Sequence, residues 1–94
     1  MIILLTEKTN ISLNTEYLVL NEKVKLLDDY HLECNNITYE FDYLIMEDQS
    51  SILEENLSFV KDGNVIITNW VGQTSIEHIY IGNFDKAIDD LLNN

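Results

Sequence analysis

The pattern of apolar and polar positions divides the first third of the chain into short strands. Met1–Leu5 is continuously apolar, which predicts a strand buried on both faces. Two further strand-like runs, Glu16–Leu20 and Val24–Leu27, are separated by Asn21-Glu22-Lys23. Because three polar residues are enough to reverse the chain, these runs predict a hairpin.

Residues 30–43 carry the clearest local signal. Apolar and polar side chains alternate on both sides of Asn35-Asn36, and asparagine tolerates the positive φ angles of a tight turn. We therefore predict a second hairpin. Its apolar face would carry Tyr30, Leu32, Cys34, Ile37, Tyr39, Phe41 and Tyr43, and its polar face His31, Glu33, Thr38, Glu40 and Asp42.

After Leu44-Ile45-Met46 the apolar period changes from two to about 3.6 residues. Ser51 and Glu54 have the spacing of a capping box, which predicts a helix from Ser51 that ends at Gly63. Asn64–Asn69 predicts a buried strand and Ser75–Ile81 an alternating one. A final helix is predicted after Asn83, with the apolar stripe Phe84, Ala87, Ile88, Leu91 and Leu92.

These elements predict one α+β domain spanning residues 1–94. Its fold would be a mainly antiparallel sheet of six or seven strands, with two helices packed on one face. A hydrophobic fraction of 46% is typical of a globular domain. With one cysteine and no long apolar span, the chain is expected to be cytoplasmic and reduced.

The charge of the chain indicates what kind of partner it binds. Arginine is absent, and five lysines stand against seventeen acidic residues, so the net charge is -12. A surface this negative repels nucleic acids and anionic membranes, and it accelerates encounter with basic proteins. Since a net charge of about 2 to 8 is enough to keep a small domain soluble, we expect the excess to serve binding. The alternative is a solvated acidic surface with no further role.

The positions of the acids indicate candidate binding surfaces. Glu40 and Asp42 would lie about 6.6 to 6.8 Å apart on one strand, with Glu33 on its neighbour, a spacing comparable to that of phosphates along a nucleic acid. Asp89 and Asp90 fall in the last turn of the predicted helix, where the helix dipole disfavours negative charge. Trp70 or Tyr80, if exposed, is a candidate aromatic anchor, although Trp70 after a buried strand also fits a lid over the core.

Catalytic and metal sites are not expected. Cys34 and His31 are three residues apart on one strand and so point to opposite faces, and His78 diverges from Glu77 in the same way. Asp28-Asp29 and Asp89-Asp90 are at most weak ligands for calcium or magnesium, and no zinc or EF-hand motif is present. Three scattered glycines form no phosphate-binding loop. We therefore expect no cofactor.

One part of the chain resembles a known family. Phe41–Met46, the helix predicted after it, and Lys61–Asn69 look like the late strand, helix and strand of Rossmann-type methyltransferases. The family's early glycine-rich loop has no counterpart after Met1–Leu5. The link Glu7–Thr15 is too short for the crossover helix of about a dozen residues that a parallel strand pair would require, so no parallel pair is expected across it. No cofactor-binding residue is transferred from it.

The sequence thus leaves two functional classes. The first is an interaction protein that inhibits a basic nuclease or defence effector; in charge and size the chain is similar to anti-CRISPR proteins, DNA mimics and immunity proteins. Its candidate binding residues are Glu33, Glu40, Asp42, Asp89, Asp90 and Trp70, and it would contact neither nucleic acid nor membrane. The second is a small enzyme or ligand-binding domain on an abbreviated Rossmann-like scaffold. Either could form a homodimer.

Overall fold

The computed structural model describes residues 1–92 as ten short strands and one α-helix. The strands are β1 (Ile2–Leu5), β2 (Tyr17–Leu20), β3 (Val24–Asp28), β4 (His31–Cys34), β5 (Ile37–Glu40), β6 (Tyr43–Met46), β7 (Ile52–Glu55), β8 (Lys61–Asp62), β9 (Val65–Ile66) and β10 (Ile79–Ile81). The helix is α1 (Phe84–Leu92). They form three sheets, so the predicted single antiparallel sheet with two helices is wrong.

The first sheet, called here the parallel sheet, has the order β10-β6-β1-β2, with every neighbouring pair parallel. Leu4 in the central strand β1 pairs with Val19 on one side and Ile45 on the other. The predicted burial of the first strand is confirmed, since Ile2–Leu5 is buried throughout. Continuous apolar strands suit a parallel sheet because both of its faces are covered.

The second sheet, the mixed sheet, has the order β5-β4-β3-β7. Its antiparallel pair β4–β5 is the predicted hairpin, and the turn residues Asn35 and Asn36 have φ angles of 52° and 65°. The predicted hairpin of β2 with β3 is wrong. These strands belong to different sheets, because the polar residues 21–23 carry the chain from one layer to the next.

The core lies on both faces of the parallel sheet. One face packs against the mixed sheet through a cluster that includes Ile3, Leu44, Leu26, Leu32 and Phe41. The other face packs against α1 and the β1–β2 link through a second cluster. That cluster includes Ile2, Leu4, Ile45, Tyr80, Phe84 and Ala87. The parallel sheet is therefore the middle of three layers.

The link between β1 and β2 joins parallel strands without a helix. The expectation that so short a link excludes a parallel pair is wrong. Ile11 and Leu13 in this link pack on the cluster beneath α1, and the Tyr17 hydroxyl donates to the Ile11 carbonyl at 3.1 Å. The link covers the sheet with these apolar side chains, which is the role a crossover helix would have had.

The helix predicted from Ser51 is also wrong. Ser51 ends a short 3₁₀ helix, Gln49–Ser51, and the chain then runs as β7 beside β3. The Gln49 side chain donates to the Asn64 carbonyl at 2.7 Å and accepts from the Ile66 amide at 2.8 Å. These bonds hold the β8–β9 hairpin against the segment. The strand, helix and strand order of the methyltransferase resemblance is therefore not present.

Three other segments near the C-terminus are shorter or differently capped than predicted. The predicted buried strand Asn64–Asn69 is reduced to β9, in which Val65 is exposed, and Ser75–Ile81 is reduced to β10. The final helix lies where predicted. Asn83 before it has a φ angle of 41°, and its side chain donates to the Trp70 carbonyl at 3.2 Å. Within residues 1–92, no helix is long and apolar enough to cross a membrane.

Candidate functional site

The outer face of the mixed sheet, called here the charged face, carries Glu33 and Glu40 from the predicted carboxylate ladder. Lys25 Nζ lies 3.9 Å from Glu33 Oε2 and 3.9 Å from Glu54 Oε2. His31 Nε2 lies 3.6 Å from Glu40 Oε2. Cationic or titratable partners thus stand between the acids, and the face does not present an uninterrupted row of negative charge.

His31 is further held by Asp28 at the edge of this face. The Tyr30 amide donates to Asp28 Oδ1 at 2.8 Å, and His31 Nδ1 lies 2.8 Å from the same oxygen. The backbone hydrogen bond from Tyr30, followed by the bond with His31, holds the pKa of Asp28 below its ordinary value. The histidine of the charged face is therefore fixed between two carboxylates.

Asp42, the third member of the predicted ladder, lies elsewhere. It follows β5, and its amide donates to the Met1 carbonyl at 2.8 Å. Its carboxylate pairs with the amino group of Met1. These contacts place Asp42 beside the amino ends of β1 and β6, away from Glu33 and Glu40.

Two shallow adjoining cavities of about 400 and 340 Å³ lie at this amino end of the parallel sheet and share Tyr43 and Leu91. We call them together the tyrosine groove. The side chains that line it and enter the argument below are Tyr30, Tyr43, His78, Tyr80, Leu91 and the acids Glu16, Asp42, Glu77 and Asp90. In the described part of the chain, no lysine lines either cavity.

An aromatic stack forms one wall of the groove. The rings of Tyr30 and His78 are parallel to within 7°, with centroids 4.3 Å apart. The Phe41 ring is also near His78, tilted by 39° at a centroid distance of 6.1 Å. His78 Nε2 contacts the Asp29 carbonyl, which fixes the plane of the imidazole. The Tyr30 side chain is nevertheless 50% exposed, so the stack is displayed to solvent.

Tyr80 and the end of α1 form another part of the groove. The Tyr80 hydroxyl donates to Asp90 Oδ2 at 2.9 Å. Burial, and secondly this bond to a carboxylate, raises the pKa of Tyr80 to about 12. The bond stabilises Asp90 at a helix end where negative charge is otherwise unfavourable. Asp89, next to it, is exposed.

Sequence reasoning missed a second concave site, a cleft of about 490 Å³ at the carboxyl ends of β1, β2 and β6. The β1–β2 link lies on the α1 side of the sheet, whereas the chain leaves β2 towards the mixed sheet, and this divergence opens the cleft. Its lining includes Glu7, Glu22, Lys23, Glu47 and Asp48. The sequence did carry one signal for this cleft: an acidic residue follows each of the three strands β1, β2 and β6 within one or two positions.

Trp70 is 75% exposed and lies in a turn fixed by Asn69, whose side chain accepts from the amides of Val71 and Gln73 at 3.1 and 2.9 Å. The interpretation of Trp70 as a lid over the core is therefore wrong. Asn83 holds the Trp70 carbonyl near the start of α1, whereas Asp90 lies at the end of that helix. The predicted site residues are thus distributed over three places.

The predicted separation of Cys34 from His31 is confirmed. Cys34 is buried in the core and His31 lies on the charged face. Burial, and secondly the negative charge of Glu22, raises the pKa of the Cys34 thiol, which opposes its use as a nucleophile. Within residues 1–92, no group of three or more His, Cys, Asp or Glu side chains is placed to hold a metal ion.

Comparison with known proteins gives no identification: no family model, curated protein or solved structure matches this chain.

Proposed function

We propose that this chain is a small acidic inhibitor that binds the basic nucleic-acid-binding surface of a nuclease or defence effector, in the manner of anti-CRISPR, DNA-mimic or immunity proteins. Its net charge of -12 favours rapid encounter with such a surface. The observation that carries the proposal is the tyrosine groove, where exposed aromatic rings and four carboxylates converge.

The groove has the composition of a protein-binding surface. Tyrosine is enriched among the residues that contribute most to protein interfaces, because it buries a large area with little loss of side-chain freedom. Tyr30 and Tyr43 are 50% and 40% exposed although they flank a well-packed core. Carboxylates around them complement a basic partner.

The charged face is a weaker candidate for the same role. Lys25 already pairs with Glu33 and Glu54, and His31 lies between Asp28 and Glu40. A basic partner that docks there would have to replace these pairs, so each new contact would contribute less to the binding free energy. We therefore place the principal contact at the groove.

The proposal is tested by affinity capture of a basic, nucleic-acid-handling protein, followed by competition with its nucleic acid at low and high salt. Two variants remove two charges each: Glu16→Gln with Glu77→Gln in the groove, and Glu40→Gln with Glu54→Gln on the charged face. We expect the groove variant to weaken binding more than the charged-face variant. Since net charge is matched, the difference measures location and not total charge.

Several results would contradict the proposal. Simultaneous binding of the partner to this chain and to nucleic acid would exclude competition for one surface. Affinity that does not fall as salt rises would exclude electrostatic recognition. Equal losses in the two double variants would exclude the groove as the principal contact.

The carboxyl-end cleft favours a second function, a ligand-binding domain on an abbreviated α/β scaffold. Open parallel sheets commonly bind ligands beyond the carboxyl ends of strands where the chain diverges to opposite faces. Because Glu7, Glu22 and Glu47 line the cleft, its ligand would carry positive charge. Calorimetric titration with spermidine should then detect binding that Glu22→Gln with Glu47→Gln abolishes. No heat of binding, or equal binding by the double variant, would exclude this function.

A further inference from the structure

We infer that the tyrosine groove receives an arginine side chain of the partner, with the guanidinium stacked on Tyr30 and paired with Glu77. This inference rests on the proposed function, since it names the chemistry by which the same groove would hold a basic protein.

The Tyr30 ring offers one free face for such a stack. Its other face is covered by the parallel ring of His78 at a centroid distance of 4.3 Å. Tyr30 is nevertheless 50% exposed, so part of this residue remains open to a ligand. Because the Asp29 carbonyl bonds His78 and the Phe41 ring lies beside it, the ring on which Tyr30 stacks is held in place. Less freedom is lost when a ligand binds to a surface that is already ordered.

Negative charge stands next to this ring. Glu77 directly precedes His78, lines the same cavity and is exposed. Its backbone is held by the Gln73 side chain, which donates to the Glu77 carbonyl at 2.8 Å. Asp90 lines the cavity as well. The only positive groups of the groove in residues 1–92 are the Met1 amine, which pairs with Asp42, and His78 when protonated.

This combination favours arginine over lysine. A guanidinium is planar, stacks on an aromatic face and can bond a carboxylate through two parallel N–H groups. A lysine ammonium is compact and strongly hydrated, so it gains less from the ring. Citrulline keeps the planar head group without the charge. The expected order of affinity is therefore arginine, then lysine, then citrulline.

The test uses a short blocked glycine-serine peptide that carries arginine, and two versions with lysine or citrulline at the same positions. Binding to the unmodified chain is measured by nuclear magnetic resonance titration, which also reports whether the Tyr30 and His78 rings are perturbed. We expect Tyr30→Leu to weaken the arginine peptide by about two- to five-fold and to remove the preference over lysine. Trp70→Leu removes an exposed aromatic outside the groove and is the matched control, and its loss of affinity should be smaller than that of Tyr30→Leu.

A second pair of variants tests the carboxylate. Glu77→Gln should weaken the arginine peptide, whereas Glu54→Gln on the charged face should not. Equal binding of the arginine and citrulline peptides to the unmodified chain overturns the inference without any variant. So does an equal loss in Tyr30→Leu and Trp70→Leu.

The inference and the proposed function fail in different ways. If a captured nuclease or effector binds the unmodified chain and the Tyr30→Leu variant equally well, the inference is wrong and the proposed function stands. If no basic nucleic-acid-handling protein binds the unmodified chain in competition with nucleic acid, the proposed function is wrong, whatever the peptides show. A partner lost with Tyr30→Leu and retained with Trp70→Leu supports both.

Discussion

The two larger sheets use their surfaces in opposite ways. The parallel sheet is enclosed, with the mixed sheet on one face and α1 with the β1–β2 link on the other. The mixed sheet leaves one face to solvent, and there its charged residues pair with one another. An enclosed sheet can be reached only at its ends. The two concave sites described above, the tyrosine groove and the carboxyl-end cleft, lie at the ends of the enclosed sheet.

The largest expected difference in the free energy of unfolding is between alanine substitutions of one leucine in each sheet. Leu44 in β6 of the parallel sheet is 0% exposed, whereas Leu53 in β7 of the mixed sheet is 61% exposed. Leu44→Ala should lower the free energy of unfolding by about 2–5 kcal/mol, because it leaves a cavity. Leu53→Ala should change it by less than about 0.5 kcal/mol. Urea unfolding followed by circular dichroism measures both, and similar losses would mean that the parallel sheet is not the enclosed layer.

A smaller effect is expected at the margin of the parallel sheet. At Gly72, with a φ angle of +84°, an added Cβ would lie 2.7 Å from the Gly82 carbonyl oxygen. Gly63, in the β8–β9 turn, has a φ angle of +62° and no atom within 4 Å of an added Cβ. Alanine at either position meets backbone strain of about 1–3 kcal/mol. Gly72→Ala should be the more destabilising in thermal unfolding, and equal losses would contradict a close contact there.

Tyr80 in β10 makes the parallel sheet sensitive to alkali. Folding raises the pKa of Tyr80 to about 12, so the phenol ionises at a higher pH in the folded state than in the unfolded state. Stability from this group is complete below about pH 10 and is lost between about pH 10 and 12. Tyr80→Phe should flatten that decline and cost about 0.5–1.5 kcal/mol at neutral pH through loss of the bond to Asp90. Titration of tyrosinate absorbance, combined with unfolding at each pH, measures both effects.

The smallest effect is expected on the charged face of the mixed sheet. Lys25→Gln removes the pairs with Glu33 and Glu54, each 3.9 Å long and largely exposed to solvent. We expect a loss of less than about 1 kcal/mol that shrinks as salt rises, since exposed pairs are weak and screened. Chemical unfolding at two salt concentrations checks this. A large loss independent of salt would show that the charged face contributes to the fold as the core does.

The mixed sheet was partly predictable because its β4–β5 hairpin is local. Its register follows from alternation around Asn35-Asn36, and the sequence shows both. The parallel sheet was not predictable in the same way, because β1 pairs with β6, some forty residues distant along the chain. Residues 51–60 have helical spacing much as α1 does, but pairing with β3 holds Ile52–Glu55 as the strand β7. Long-range pairing thus overrode a local preference.

The candidate site was predictable only in its chemistry. The excess of acids, including Asp42 and Asp90, was visible in the sequence. The tyrosine groove was not, because Tyr30, Tyr43 and His78 come from separate segments that only the packing of two sheets brings together. No spacing along the chain encodes that proximity.

The stack of Tyr30 on His78 joins the two sheets. Tyr30 follows β3 of the mixed sheet, and His78 immediately precedes β10 of the parallel sheet. A ligand that contacts both residues would bind only when the two sheets are packed together. It would therefore stabilise the packed state. Its occupancy would raise the melting temperature in proportion to the logarithm of its free concentration once the groove is nearly saturated.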